Sequence, residues 1–165
     1  MEKDKELVIN ELLIDHYDKY YRMAYSYVHN ENDALDIVQE SAYKAIFHAK
    51  KLKEIQYADT WICRIVINES IAFLRKTKRY SEEAFEDEII ARQVGYETNE
   101  NQVGYENIDL KSAMEKLPTK DKTVVMLRYF EDMSLEQVAD VLGENLSTVK
   151  SRLYRALGKM KVNLS

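Results

Sequence analysis

The sequence is poor in residues that punctuate or crosslink a chain. One proline and four glycines in 165 residues are too few for a turn-rich β fold, so helices should dominate. A single cysteine, Cys63, excludes an internal disulfide and a cysteine-rich zinc site. It stands among Ile62, Ile65 and Val66, the setting of an inert buried thiol, and fits a reduced compartment. No apolar run approaches the ~18 residues of a membrane span. The N-terminal MEKDKELVINELLIDHY is interrupted by charge, unlike a signal peptide, so a cytoplasmic chain is expected. Catalytic signatures are also missing. There is no P-loop and no glycine-rich dinucleotide turn. His16, His29 and His48 are dispersed, and none completes the Glu-x-x-His pairing of a di-iron bundle. No Ser/His/Asp or Cys/His arrangement has support. The expectation is a protein that is not an enzyme, with no metal and no cofactor.

What is present is apolar surface, with charge in blocks. Apolar residues make up 45 % of the chain, enough for one medium core or two small ones. A net charge of −5 argues at first against a polyanionic partner, but the distribution of charge argues the other way. Residues 1–80 balance at zero, residues 81–109 carry −8, and residues 110–165 carry +3. Local fields decide where a polyanion can sit, and the acidity is concentrated in the middle.

The most organised stretch is SLEQVADVLGENLSTVKSRLYRAL, Ser134 to Leu157. Ser134 and Gln137 have the spacing of a capping box, and Leu135, Val138, Ala139 and Leu142 repeat at helical intervals. Gly143 follows, where a helix end needs positive φ. Ser147 and Thr148 can cap a second helix. On that helix Val149, Leu153, Ala156, Leu157 and Met160 share one face, opposite Ser151 and Arg155. Thr148, Lys150, Arg152 and Tyr154 flank them. Lys150, Arg152, Arg155, Lys159 and Lys161 fall in an acid-free segment. An apolar inner face, a tight turn and a basic outer face predict a helix-turn-helix whose second helix enters a major groove. A plain helical hairpin with a solvated charged face is the weaker rival.

Upstream, residues 6–29 read as one long tyrosine-rich helix, with its rings at the edge of a core. After Asn30–Asn32 a second helix runs from Asp33 to Lys51, burying Ala34, Ile37, Val38, Ala42, Ala45, Ile46 and Ala49. Its acids precede its bases, which the helix dipole alone would favour. A third helix covers Asp59–Arg79 with Trp61 near its start and Arg75, Lys76, Lys78 and Arg79 at its end. Rings and cations there suit a single-strand platform or, equally, a core tryptophan and a basic helix end. Residues 81–106 are acidic and weakly apolar, a linker. A fourth helix, 107–116, ends at Leu117-Pro118, and a fifth starts at Thr119 or Asp121 and runs through Met126, Tyr129 and Phe130.

Two blocks together resemble a known family. DALDIVQESAYKAI (33–46) followed by TWICRIVINESIAFLRKTKR (60–79) resembles region 2 of bacterial sigma factors. LPTKDKTVVMLRYFEDMSLEQVADVLGENLSTVKSRLYRAL (117–157) resembles region 4. An acidic linker in place of region 3 is similar to the extracytoplasmic-function (ECF) group. The resemblance implies an all-α protein of two small helical domains, 1–80 and 107–165, joined by the linker 81–106. It implies docking on the clamp helices of core RNA polymerase through Asp33, Asp36, Gln39 and Glu40. It implies capture of flipped minus-10 bases by Lys53, Tyr57, Trp61, Arg64, Asn68 and Arg75. Minus-35 duplex would be read by Thr148, Lys150, Ser151, Arg152 and Arg155. The chain departs from the family pattern at Ala72, where an acid is common, and at Ile67, where an arginine often precedes the asparagine. An anti-sigma factor, commonly membrane-anchored, is the implied regulator. A stand-alone helix-turn-helix regulator is the alternative; it would dimerise on a palindromic site without polymerase. A helical enzyme, the third reading, would copurify with a metal or cofactor.

Overall fold

The computed structural model describes residues 2–83 and 112–164, and among them every regular element is helical. The chain opens with α1 (Glu2–Asp15) and α2 (Tyr17–Val28), where sequence periodicity predicts one helix. The division falls at His16, whose φ of −106° and ψ of 20° leave the helical well. Its N–H still donates to the Leu12 carbonyl at 2.8 Å, and its carbonyl accepts from Tyr20 N–H at 3.1 Å. The break is therefore a kink rather than a loop. Helix α2 ends at His29, left-handed at φ 53°, whose N–H returns to the Tyr25 carbonyl. Asn30 is extended, and its side chain accepts from Asp33 N–H at 2.9 Å. That is the N-cap of α3 (Glu31–Phe47), so the asparagine that breaks one helix starts the next.

The expected helix to Lys51 stops at Phe47 and gives way to a 3₁₀ turn, Ala49–Lys51. A second 3₁₀ turn, Ile55–Tyr57, leads into α4 (Ala58–Glu83), which takes in residues 81–83 of the expected linker. Tyr20, Met23, Ala24 and Tyr27 of α2 are buried, as are Ala34, Ile37, Val38 and Ala45 of α3 and Ile62, Cys63, Val66 and Ile67 of α4. Cys63 is the buried thiol its neighbours suggest. Ile46, expected in the buried stripe, is instead 42 % exposed. Ser41 and Ser70 are buried but satisfied, each donating to the carbonyl four residues back.

Residues 84–106 of the expected linker and 107–111 of the expected fourth helix lie outside the described residues. The chain forms two compact units, Met1–Leu74 with Glu136–Glu144, and Arg75–Leu135 with Asn145–Ser165. In the second unit, helical residues 112–115 lead to Pro118 and α5 (Thr119–Val125). The expected longer helix changes pitch at Met126 into a π-turn, Met126–Phe130. The wider turn leaves Tyr129 and Phe130 about half exposed rather than on a continuing core face. Helix α6 (Leu135–Leu142) follows, and α7 (Leu146–Leu164) is the last element.

The end of α6 shows why its glycine is needed. Glu144 N–H donates to the Ala139 carbonyl at 3.1 Å, and Gly143 N–H to Asp140 at 3.3 Å. Those two bonds make a Schellman motif, which holds Gly143 at φ 65°, where a Cβ would be strained. Helix α7 starts earlier than the caps expected at Ser147 and Thr148. Val149 N–H already donates to Asn145 O at 3.1 Å, so both hydroxyl residues belong to the first turn.

Candidate nucleic-acid interface

Helix α3 presents the acids on its solvent side. Asp36, Gln39 and Glu40 are exposed and Asp33 is half-buried beside the N-cap. The same stripe continues, at positions 36, 40, 43 and 47, into Tyr43 and Phe47, which are 63 % and 68 % exposed. Their rings stack with centroids 5.9 Å apart. This aromatic extension was not expected from the sequence, although its heptad spacing from Asp36 is the signal that identifies it. Lys44, a base suited to the helix dipole, pairs with Glu69 of α4, and that hydrogen bond raises its pKa.

On α4, positions 61, 64, 68 and 75 lie on one face, with Arg64, Asn68 and Arg75 exposed and Trp61 half-buried. The preceding loop is fixed at both ends by buried Leu52 and Ala58, which leaves Lys53 to Tyr57 exposed throughout. A cleft of about 480 Å³ is lined by Lys53, Tyr57, Thr60, Trp61, Arg64 and Asp140, among others. The structure thus gathers Lys53, Tyr57, Trp61 and Arg64 into one concavity. Asn68 and Arg75 lie further along the helix face and do not line it. Arg64 is committed: within the first unit its Nε donates to the Val141 carbonyl at 2.8 Å and its Nη2 to that of Asp140.

The first turn of α4 is held from behind. Asp59 accepts from Tyr20 Oη at 2.6 Å and from Lys19 Nζ at 2.6 Å, and lies 3.2 Å from His16 Nδ1. Burial alone would push this carboxyl up. The Lys19 and Tyr20 hydrogen bonds, the Lys19 charge and the His16 contact outweigh it and hold Asp59 below the usual carboxylate range. Burial, then the bond to Asp59, pushes the Tyr20 hydroxyl far above its ordinary value. The expectation that α2 rings sit at a core edge with wet hydroxyls thus fails for Tyr20, which is fully buried and donates to a carboxylate.

On α7, Val149, Leu153, Ala156 and Met160 are buried, the inner face predicted for them. Lys150, Ser151 and Arg155 are exposed, Thr148 is half-buried, and Arg152 is turned to the flank and half-buried. Tyr154, 68 % exposed, shares the outer face four residues after Lys150 and adds a ring to this surface beyond the residues expected there. Arg155 Nη2 donates at 3.0 Å to Oδ1 of Asp121 on α5, and that bond raises the guanidinium pKa further. Lys159 Nζ stands 3.8 Å from the other Asp121 oxygen. On α5 the neighbouring Lys122 is also buried, and its ammonium donates to Glu115 at 2.8 Å.

Among the described residues no group of histidine, cysteine or carboxylate side chains is arranged to hold a metal ion. None of the described helices is long and apolar enough to cross a membrane. Comparison with known proteins covers most of the chain. The family profile Sigma-70 region 2 matches residues 12–80, and Sigma-70, region 4 matches residues 108–160. RNA polymerase sigma factor SigV of Bacillus subtilis is 40 % identical over 153 residues, spanning 93 % of this chain and 89 % of the relative. ECF RNA polymerase sigma factor SigE of Mycolicibacterium smegmatis is 28 % identical over 155 residues, 92 % of this chain and 60 % of the relative. The fold is similar to that of sigma factor RpoE from Bartonella quintana, solved with anti-sigma factor NepR. The TM-score is 0.71 at 20 % identity, with 94 % of this chain and 95 % of that one covered. Two helical blocks in the order of regions 2 and 4, and a close relative matched over nearly its whole length, place the chain in the ECF group of bacterial RNA polymerase sigma factors.

Proposed function

We propose a division of labour among three surfaces for the transcription initiation factor that this family membership identifies. Core RNA polymerase docks on the exposed α3 stripe of Asp36, Gln39 and Glu40, with Asp33 at its edge. The observation that carries this assignment is the exposure of three of the four polar groups on one helix face, backed by a buried apolar stripe that keeps the helix rigid. Minus-10 DNA is captured as single strand at the cleft formed by Lys53, Tyr57, Trp61 and Arg64. Unstacking a base costs a few kcal/mol, and half-exposed rings and cations are the groups that offset it. Asn68 and Arg75 extend that track along α4. For this capture, Arg64 exchanges its two carbonyl partners for nucleic acid.

Minus-35 DNA is read as duplex by the outer face of α7. Lys150, Ser151 and Arg155 face outward there, Thr148 and Tyr154 lie beside them, and Arg152 serves the phosphate backbone from the flank. The protein acts in the cytoplasm, where its polymerase is. An anti-sigma factor holds it inactive, a reading supported by the structural relative solved with one. Because family members are commonly controlled from the membrane, that partner is expected to be membrane-anchored.

Co-elution of the purified chain with core polymerase tests the scheme. Wild type should associate, and Asp36→Ala combined with Glu40→Ala should lose most of that association while helical content is unchanged. Unchanged polymerase affinity in the double variant would remove α3 from the interface. Arg155→Ala should instead leave polymerase association intact and weaken transcription from promoters that depend on a minus-35 element.

A further inference from the structure

The side chain of Asp121 is 1 % exposed, while the arginine it binds is 57 % exposed. This pairing is lopsided. A carboxylate that served only the α5–α7 contact would be expected to meet a buried cation, as Lys122 meets Glu115 one residue away. Asp121 instead reaches out to two cations one turn apart on α7, Arg155 at 3.0 Å and Lys159 at 3.8 Å. Its Oδ2 atom is buried and accepts no hydrogen bond. One guanidinium nitrogen of Arg155 is occupied by Asp121. An arginine fork has five N–H donors in a rigid plane, so the remaining donors keep a defined orientation on the outer face of the helix.

We infer that Asp121 is a positioning residue for minus-35 recognition, a buried carboxylate that orients the Arg155 fork toward the duplex before DNA arrives. The inference rests on the proposal that the outer face of α7 reads the minus-35 element. Asp121 does not touch DNA; it acts through Arg155. An arginine held in advance loses less side-chain freedom on binding, and its plane is set for a bidentate contact rather than a loose phosphate contact. Lys159, 3.8 Å from the second carboxylate oxygen, supplies the other cation facing the charge that Asp121 keeps buried.

The test is a double-mutant cycle in reconstituted holoenzyme, using the full chain with core polymerase and a promoter library varied at each minus-35 position. Asp121→Asn should lower affinity for the preferred minus-35 sequence by about tenfold and flatten preference at the same position that Arg155→Ala flattens. The double variant should be no worse than Arg155→Ala alone. Arg155→Lys keeps a cation for Asp121 but loses the fork, and should flatten the same position. Asp121→Glu, which retains the charge, should restore part of the preference. If Arg155→Ala changes preference while Asp121→Asn does not, or if the two losses simply add, Asp121 has no positioning role. If Arg155→Ala itself leaves every preference unchanged, the assignment of the outer face of α7 fails first. Should Asp121→Asn not fold, Arg155→Lys decides: retained preference at that position overturns the inference.

Discussion

Two aspartates, one in each compact unit, solve the same problem in opposite ways. Asp59 lies in the first turn of α4 and receives Lys19, Tyr20 and His16 from the junction of α1 and α2. Its partners are scaffold, and they hold one end of a helix that carries a proposed DNA surface. Asp121 is more deeply buried, yet its hydrogen-bond partner is an outward-facing arginine on the proposed reading helix. A carboxylate satisfied by the scaffold puts its charge into stability. One satisfied by a surface cation puts it into orientation, because that cation would hydrate readily if released.

The sharpest way to break this contrast is to remove each carboxyl in turn. Asp59→Ala leaves the fully buried Tyr20 hydroxyl without the carboxylate it donates to and removes the 2.6 Å ion pair with Lys19. It should cost about 3 kcal/mol of unfolding free energy in urea denaturation. Asp121→Leu should show the reverse pattern, with little change in unfolding midpoint and a clear loss of minus-35-dependent transcription. Equal stability losses at the two sites would erase the distinction.

Smaller effects come from the chain reversals that frame the elements. Gly143→Ala places a Cβ at φ 65° and should cost about 1–2 kcal/mol, read from the denaturation midpoint. Asn30→Ala removes the α3 cap and should cost about 1 kcal/mol by the same measure, with Asn30→Asp close to neutral. The smallest effect is a pH slope. The Asp59 pKa is depressed in the folded state, so its contribution is present above the ordinary carboxylate range and disappears as pH falls through the lowered folded value. Between about pH 5 and pH 2, wild type should therefore lose more stability than Asp59→Asn. Parallel profiles would show that other carboxylates carry the acid transition.

Much of the candidate site was readable because helices are periodic. The shared face of positions 61, 64, 68 and 75, the acids of α3, and the inner and outer faces of α7 all follow from spacing and side-chain type. Gly143 was readable as a turn because few residues besides glycine accept a left-handed helix end. Where periodicity misled, a tertiary contact or a local change of pitch had intervened. His16 kinks the first helix beside Asp59, and the π-turn at Met126–Phe130 swings two aromatic residues into solvent. Ile46 sits on the expected buried face, but α3 ends one residue later and leaves it uncovered.

Residue order alone dictated an all-helical chain, the blocks that resemble regions 2 and 4, and which residue types each helix turns toward solvent. These depend on neighbours within a turn or two, where backbone geometry leaves few choices. It took the packed fold to pair Tyr20 with Asp59, 39 residues away, and Arg155 with Asp121, 34 residues away. Many carboxylates and cations in this chain are chemically equivalent partners. The pairs that form are those whose side chains are brought within hydrogen-bond reach when apolar faces pack, and no local pattern specifies that choice.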